Sequence, residues 1–124
     1  MKYLYSLRGK VKEGKKRGKK LGFPTANINL KSKIPEGIYA STVKIDKKIY
    51  EAATFIGSAK TFGEKDYKAE TYILGFNQNI YKKWLSIKLF KKLRNNKKFA
   101  SENELVKQIG KDILATRKFF GKLG

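Results

Sequence analysis

Ile38-Tyr-Ala-Ser-Thr-Val-Lys-Ile45 and Ile49-Tyr-Glu-Ala-Ala-Thr-Phe-Ile56, separated only by Asp46-Lys47-Lys48, decide the fold class. Both runs are rich in β-branched and aromatic residues, which suit a pleated, half-buried surface, and the break between them is short enough for a hairpin. The same texture continues on either side: Tyr3–Lys12, Thr25–Leu30, Tyr67–Phe76 and Trp84–Phe90 are further expected strands. Asn77-Gln78-Asn79 reads as a tight connection, because asparagine tolerates left-handed backbone angles, and Gly37 and Gly57 mark other turns. Six short strands at this spacing predict a small all-β barrel or sandwich over about residues 1–90, rather than a parallel sheet.

The period changes near the C-terminus. Ser101-Glu-Asn-Glu104 has the form of a capping box, and Leu105, Ile109, Ile113 and Phe120 follow at helical spacing. Lys118 and Lys122 stand near the end, where cations favour the helix dipole. The expectation is one helix over about 101–120 that lays an apolar stripe on the β core. No repeat, linker or low-complexity tail interrupts residues 1–124, so a single domain is expected.

Composition removes several function classes. The chain has neither cysteine nor histidine, so disulfides, thiolate nucleophiles, Cys/His zinc sites and Ser-His-Asp triads are excluded. Proton transfer falls to a carboxylate, a lysine, a tyrosine or water. No apolar run reaches membrane-spanning length and no signal-peptide pattern follows Met1, so a cytoplasmic protein without a membrane partner is expected. The net charge of +20 attracts polyanions. Of the 30 cationic residues, however, only Arg8, Arg17, Arg94 and Arg117 are arginine, and the lysines are spread along the whole chain. Nucleic-acid readers usually use arginine for bidentate contacts. A general drift toward lysine explains the charge better than a dedicated nucleic-acid partner, and none is expected.

The chemistry concentrates in two places. The first is a basic, glycine-punctuated stretch, Gly9 to Gly22 with Gly14, Arg17 and Gly18 between, which closes on Phe23-Pro24-Thr25-Ala26-Asn27. Glycines spaced in this way let a backbone approach a polyphosphate closely. Pro24 fixes its own φ and biases Phe23 toward an extended conformation. On a strand, Thr25 and Asn27 share a face, and a hydroxyl with an amide oxygen suits a hard cation such as Mg²⁺. The run is not a Walker loop, because no Gly-Lys-Ser/Thr opens a helix. Taken alone, the glycines equally describe a basic surface loop. The second place is Glu70, which by alternation shares a face with Tyr72, Leu74 and Phe76. A carboxylate there is costly unless it is paired or used as a base. Alternatively the other face is buried and Glu70 answers nearby lysines; pattern alone leaves both open.

Taken together, these motifs resemble a known family. Gly9-x-Val11-x-x-Gly14, Arg17-Gly18 and Gly22-Phe-Pro-Thr-Ala-Asn27 are similar to the opening of the ATP-dependent riboflavin kinases, including the kinase half of bacterial riboflavin kinase/FAD synthetases. Pro35-x-Gly37-Ile-Tyr39-Ala40, Ile56-Gly57 with Thr61-Phe62-Gly63, Glu70-Thr-Tyr-Ile-Leu-Gly-Phe76 and Ile80-Tyr81 follow in the family's order. Leu93-Arg94-x-x-x-Lys98-Phe99-x-Ser101 and Gln108-Ile109-x-x-Asp112 resemble its approach to a final helix. The likeness covers nearly the whole chain. Departures are Lys60 for a usual proline, Gly75 for a common aspartate, Asn79 for an acid and Lys83 for a glycine.

The resemblance implies a six-stranded Greek-key β-barrel with a C-terminal helix. It implies transfer of the γ-phosphoryl of ATP to the ribityl 5′-hydroxyl of riboflavin, giving FMN and ADP. Thr25 and Asn27 would hold Mg²⁺ and the ATP phosphates, and Gly14, Arg17, Gly18, Gly22 and Pro24 would form the nucleotide loop. Glu70 would be the general base, and Phe23, Arg94 and Phe99 would meet the flavin. A monomer is expected. FAD synthesis needs an adenylyltransferase motif containing histidine, which this chain lacks, and Met1 slightly favours a stand-alone kinase over an excised domain. A small barrel that stacks single-stranded nucleic acid on Tyr39, Tyr50, Phe55, Tyr72, Tyr81 and Trp84 is the alternative from another class.

Overall fold

A computed structural model describes residues 2–12, 25–30, 33–58, 67–76 and 78–121. Six strands form one antiparallel sheet: β1 (Tyr5–Lys10), β2 (Ala26–Asn29), β3 (Gly37–Ile45), β4 (Lys48–Gly57), β5 (Lys68–Ile73) and β6 (Trp84–Arg94). Their order is β1-β6-β3-β4-β5-β2. β3, β4 and β5 run as a meander, and β6 then returns to lie beside β3, which is the Greek-key step. β1 and β2 approach each other at the two edges: Lys12 and Asn27 form an isolated bridge, with the Lys12 N–H donating to the Asn27 carbonyl at 2.7 Å. The sheet is thus a nearly closed barrel.

Alternation selects the inside. Tyr39, Val43 and Ile45 of β3, Ala52 and Ile56 of β4, Ala69 of β5, and Leu85, Ile87 and Leu89 of β6 form the core with Ile28 of β2. Each of these strands turns its intervening residues outward. The interior also buries a line of hydroxyls. Ser41 Oγ lies 2.6 Å from Thr54 Oγ1, which lies 2.8 Å from Thr71 Oγ1, so three buried polar groups satisfy one another across β3, β4 and β5.

The β3–β4 hairpin closes with Ile45 opposite Lys48, leaving Asp46 and Lys47 as a two-residue turn. Asp46 takes φ 56°, a left-handed angle that aspartate tolerates better than most side chains. β5 is shorter than the pattern suggested, because Leu74 and Gly75 leave the ladder in a turn with Gly75 at φ 69°. β6 runs past Phe90 to Arg94. Two register shifts against β3 leave Phe90 and Leu93 without paired residues of their own, so the alternation breaks while the strand continues. Asn77 of the expected 77–79 connection lies outside the described residues; Asn79 Oδ1 accepts from the Tyr81 N–H at 2.9 Å.

Helix α1 (Glu102–Phe119) lies against β3, β4 and β6. Ser101 Oγ accepts from the Glu104 N–H, as a capping box requires, but the Glu104 carboxylate returns to the N–H of Ala100 rather than to that of Ser101. The buried face is more polar than the expected stripe. Ile109 is buried, yet so are Asp112 and Thr116, while Leu105, Ile113 and Phe120 are only partly covered. Among the described residues, no helix is long and apolar enough to cross a membrane.

Gly9 lets β1 approach β2. A Cβ built there would lie 2.2 Å from Ile28 Cγ2, so any side chain forces Ile28 or the barrel seam to move. Gly110 in α1 has nothing within 4 Å of such a Cβ. Gly9→Ala should therefore destabilise the fold by about 1–3 kcal/mol through overpacking. Gly110→Ala should be neutral or stabilising by up to about 1 kcal/mol, as expected for alanine replacing glycine within a helix. Denaturant midpoints of the two variants test the contrast.

Candidate active site

β2 and β5 pair so that Asn27 stands opposite Glu70, with Ala26 opposite Thr71 and Ile28 opposite Ala69. Ala69 and Thr71 face the core, so Glu70 and Tyr72 face outward, and Asn27 shares that outer face. This settles the question that the strand pattern left open: the fully buried face of β5 is the other one. Glu70 is nevertheless not a solvated surface acid. Its side chain is 18% exposed, it pairs with Lys68 Nζ at 3.4 Å, and Phe55 of β4 stands opposite it on the other side. Thr25 is half-buried and stands one residue before β2, at the spacing that shares a face with Asn27 in extended chain.

Asn27 is the most informative residue of the group. It is 7% exposed, and its Oδ1 is buried without a hydrogen-bond partner. A buried carbonyl oxygen left in that state costs free energy, so its retention points to a ligand. A neutral hard oxygen beside the hydroxyl of Thr25 fits a hard divalent cation that keeps most of its other positions for water and phosphate. Among the described residues, no group of three or more acidic side chains offers a competing metal cage. The residues present fit Mg²⁺.

Beyond Glu70, the same outer face leads to the helix. Arg94 at the end of β6 holds Asp112 of α1 in a fork, Nε to Oδ1 at 2.8 Å and Nη2 to Oδ2 at 2.8 Å. Gln108 Nε2 adds a third donor to Asp112 at 3.1 Å, and Arg94 Nη1 donates to the Asn95 carbonyl. The planar guanidinium matches a carboxylate in this way, and the extra donors help to offset the desolvation of the 5%-exposed Asp112. Tyr72 lies within the field of these groups. Burial is the main reason that its hydroxyl holds its proton far above the usual tyrosine range; the negative charges of Glu70 and Asp112 add to this, and Arg94 opposes it. Phe99 is half-buried with Lys97 Nζ 5.9 Å from its ring centre.

Of the residues singled out in the sequence, the structure thus brings Asn27 and Glu70 together on one face, with Thr25 at its rim. Arg94 lies at the helix side of that surface. Gly14, Arg17, Gly18, Gly22, Phe23 and Pro24 lie outside the described residues. Two members were missed. Lys68 carried no signal beyond its place two residues before Glu70, and Asp112 entered only as part of a resemblance, since an acid within a helix normally reads as exposed. The aromatic residues expected of a single-strand binder do not form one surface: Tyr39 is in the core, Tyr50, Phe55 and Tyr72 are half-covered, and only Tyr81 and Trp84 are exposed.

Residues 1–120 match the family description "Flavokinase: Riboflavin kinase". The chain belongs to the riboflavin kinase family. A bifunctional riboflavin kinase/FMN adenylyltransferase of Buchnera aphidicola is 37% identical over 121 residues, covering 94% of this chain and 39% of that protein. The crystal structure of riboflavin kinase from Trypanosoma brucei superposes with a TM-score of 0.67 at 28% identity, covering 95% of this chain and 80% of the other. A structure described as a macrolide-efflux protein from Streptococcus pneumoniae superposes with a TM-score of 0.81 at 34% identity, over 90% of this chain and 38% of that one. The first curated relatives are much longer, and the chain spans between 18% and 40% of their length. Riboflavin kinases use ATP, and the nearly closed six-stranded barrel with one C-terminal helix is the family's architecture.

Two outcomes follow from this geometry. Asp112→Ala should destabilise the protein by about 3 kcal/mol, the lower end for breaking a buried ion pair because Arg94 is partly exposed, read as a lowered denaturant midpoint. Burial also raises the hydroxyls of Tyr39 and Tyr67, which donate to the carbonyls of Pro35 and Ile34. These tyrosines and Tyr72 stay protonated in the folded protein where the unfolded chain ionises. The stabilising difference is intact below pH 10.0, the ordinary tyrosine value, and is lost as pH rises through the folded values. Absorbance near 295 nm should show part of the seven tyrosines titrating only on alkaline unfolding.

Proposed function

We propose that this chain has riboflavin kinase activity, transferring the γ-phosphoryl group of ATP to the ribityl 5′-hydroxyl of riboflavin. One observation carries the reading more than any other: the unpartnered, buried Oδ1 of Asn27 stands across one strand pair from a sheltered carboxylate, Glu70. In this reading Thr25 and Asn27 hold Mg²⁺ and the phosphates, and Glu70 is the general base. Mg²⁺ bound there would spread positive charge over the phosphate oxygens. Glu70 takes the proton of the 5′-hydroxyl as its oxygen bonds to the γ-phosphorus, and the bond to the bridging oxygen breaks to release ADP. Phosphoryl transfer requires little covalent work from a protein, so placing the two substrates in line does most of the task.

The basic stretch with Gly14, Arg17, Gly18 and Gly22, closed by Pro24, is proposed to wrap the nucleotide. Phe23 and Phe99 are proposed to meet the isoalloxazine. Arg94 serves that end by fixing the chain between β6 and the helix, since its guanidinium already holds Asp112 and the Asn95 carbonyl. The chemistry needs no second copy and no membrane, in keeping with the cytoplasmic monomer expected from the sequence.

Incubation with riboflavin and Mg·ATP, followed by chromatography, should yield FMN. Glu70→Gln should lose about 10²–10⁴-fold in kcat, the range for removing a general base, while nucleotide binding survives. Thr25→Ala and Asn27→Ala should instead raise the KM for Mg·ATP. Near-normal turnover by Glu70→Gln would remove Glu70 from the role of base.

A further inference from the structure

Lys68 is 8% exposed on the outer face of β5, two residues from Glu70 and therefore beside it. A lysine is seldom this covered unless it is paired. Its Nζ lies 3.4 Å from Oε1 of Glu70, and the two side chains are only 10% and 18% exposed, so water competes weakly for either charge. At that distance the pair is held by charge more than by a short hydrogen bond. The ion pair is made through Oε1 of the carboxylate. The carboxylate is thus held at one oxygen, and part of its side chain stays exposed for a further contact.

We infer that Lys68 is a positioning residue for the base. The ammonium draws Oε1 to itself, fixes the rotation of the carboxylate, and leaves Oε2 to accept the proton of the substrate hydroxyl. The inference rests on Glu70 being the base, as proposed above. A glutamate on a strand has three side-chain torsions to order, and a misplacement of about 1 Å at a reacting group can cost about 10²-fold in rate. A bystander lysine that only neutralised the face would have no such effect on turnover.

Lys68→Met keeps the length of the side chain and removes the charge. It should lower kcat for FMN formation by about 10- to 100-fold, with the KM values for riboflavin and Mg·ATP within about threefold of the parent. Lys68→Arg should restore kcat to within a few-fold, because a cation again meets Oε1. Lys68→Gln, with its melting curve recorded beside that of the parent, serves if Lys68→Met does not fold, and the same loss is expected of it. In the Glu70→Gln background, adding Lys68→Met should cost little more, since the group it positions is already gone. If Glu70→Gln is inactive while Lys68→Met and Lys68→Gln turn over at the parent rate, Lys68 positions nothing and the base stands. If Lys68→Met costs as much with Glu70→Gln as without it, Lys68 acts on the phosphates directly and the inference falls. If Glu70→Gln itself stays active, the underlying reading of the base is what has failed.

Discussion

The pairing of β2 with β5 holds the candidate site together, because it sets Asn27 opposite Glu70. Side chains alternate along a strand, so a slip of one residue would send Asn27 into the barrel and bring Ile28 out. Three features resist that slip. Ile28 and Ala69 are both core residues and must face inward together. The Lys12–Asn27 bridge fixes β2 from its other side, and Gly9 gives Ile28 the space it needs against β1. Closing the barrel and assembling the site are therefore one event.

Two ion pairs contribute charges that act on Tyr72: Lys68 with Glu70, and Arg94 with Asp112. The first is looser, with 3.4 Å between the ammonium and the carboxylate oxygen. The second is a fork with both oxygens engaged and a further donor from Gln108. This difference sets the loose pair apart from the one that fastens the helix to the sheet. Three of the roughly four acceptor sites of Asp112 are filled, whereas the Lys68 contact to Glu70 is longer and made through Oε1.

Much of the fold was legible from particular residues. The hairpin around Asp46, the switch of period at Ser101 and the six β-rich runs all appear in the structure, because each follows from local rules of turn, cap and alternation. Errors fall where tertiary contacts override those rules. β6 outlasts its alternation because bulges at Phe90 and Leu93 absorb the mismatch with β3. The helix buries Asp112 and Thr116 because Arg94, Gln108 and a backbone carbonyl satisfy them there.

By itself, the sequence determined the kind of chemistry this chain can host. Without cysteine or histidine, and with Thr25, Asn27 and Glu70 in an order that resembles the riboflavin kinases, it names oxygen donors and a carboxylate and little else. Which of those groups meet was decided by the tertiary structure. Glu70 lies 43 positions after Asn27 in the chain, and only the antiparallel register of β2 and β5 makes them neighbours. Burial made the same kind of decision, leaving one amide oxygen unpartnered and drawing one lysine to the acid. Local pattern fixes what a residue is and which way an isolated strand can face; pairing with distant strands fixes what it touches.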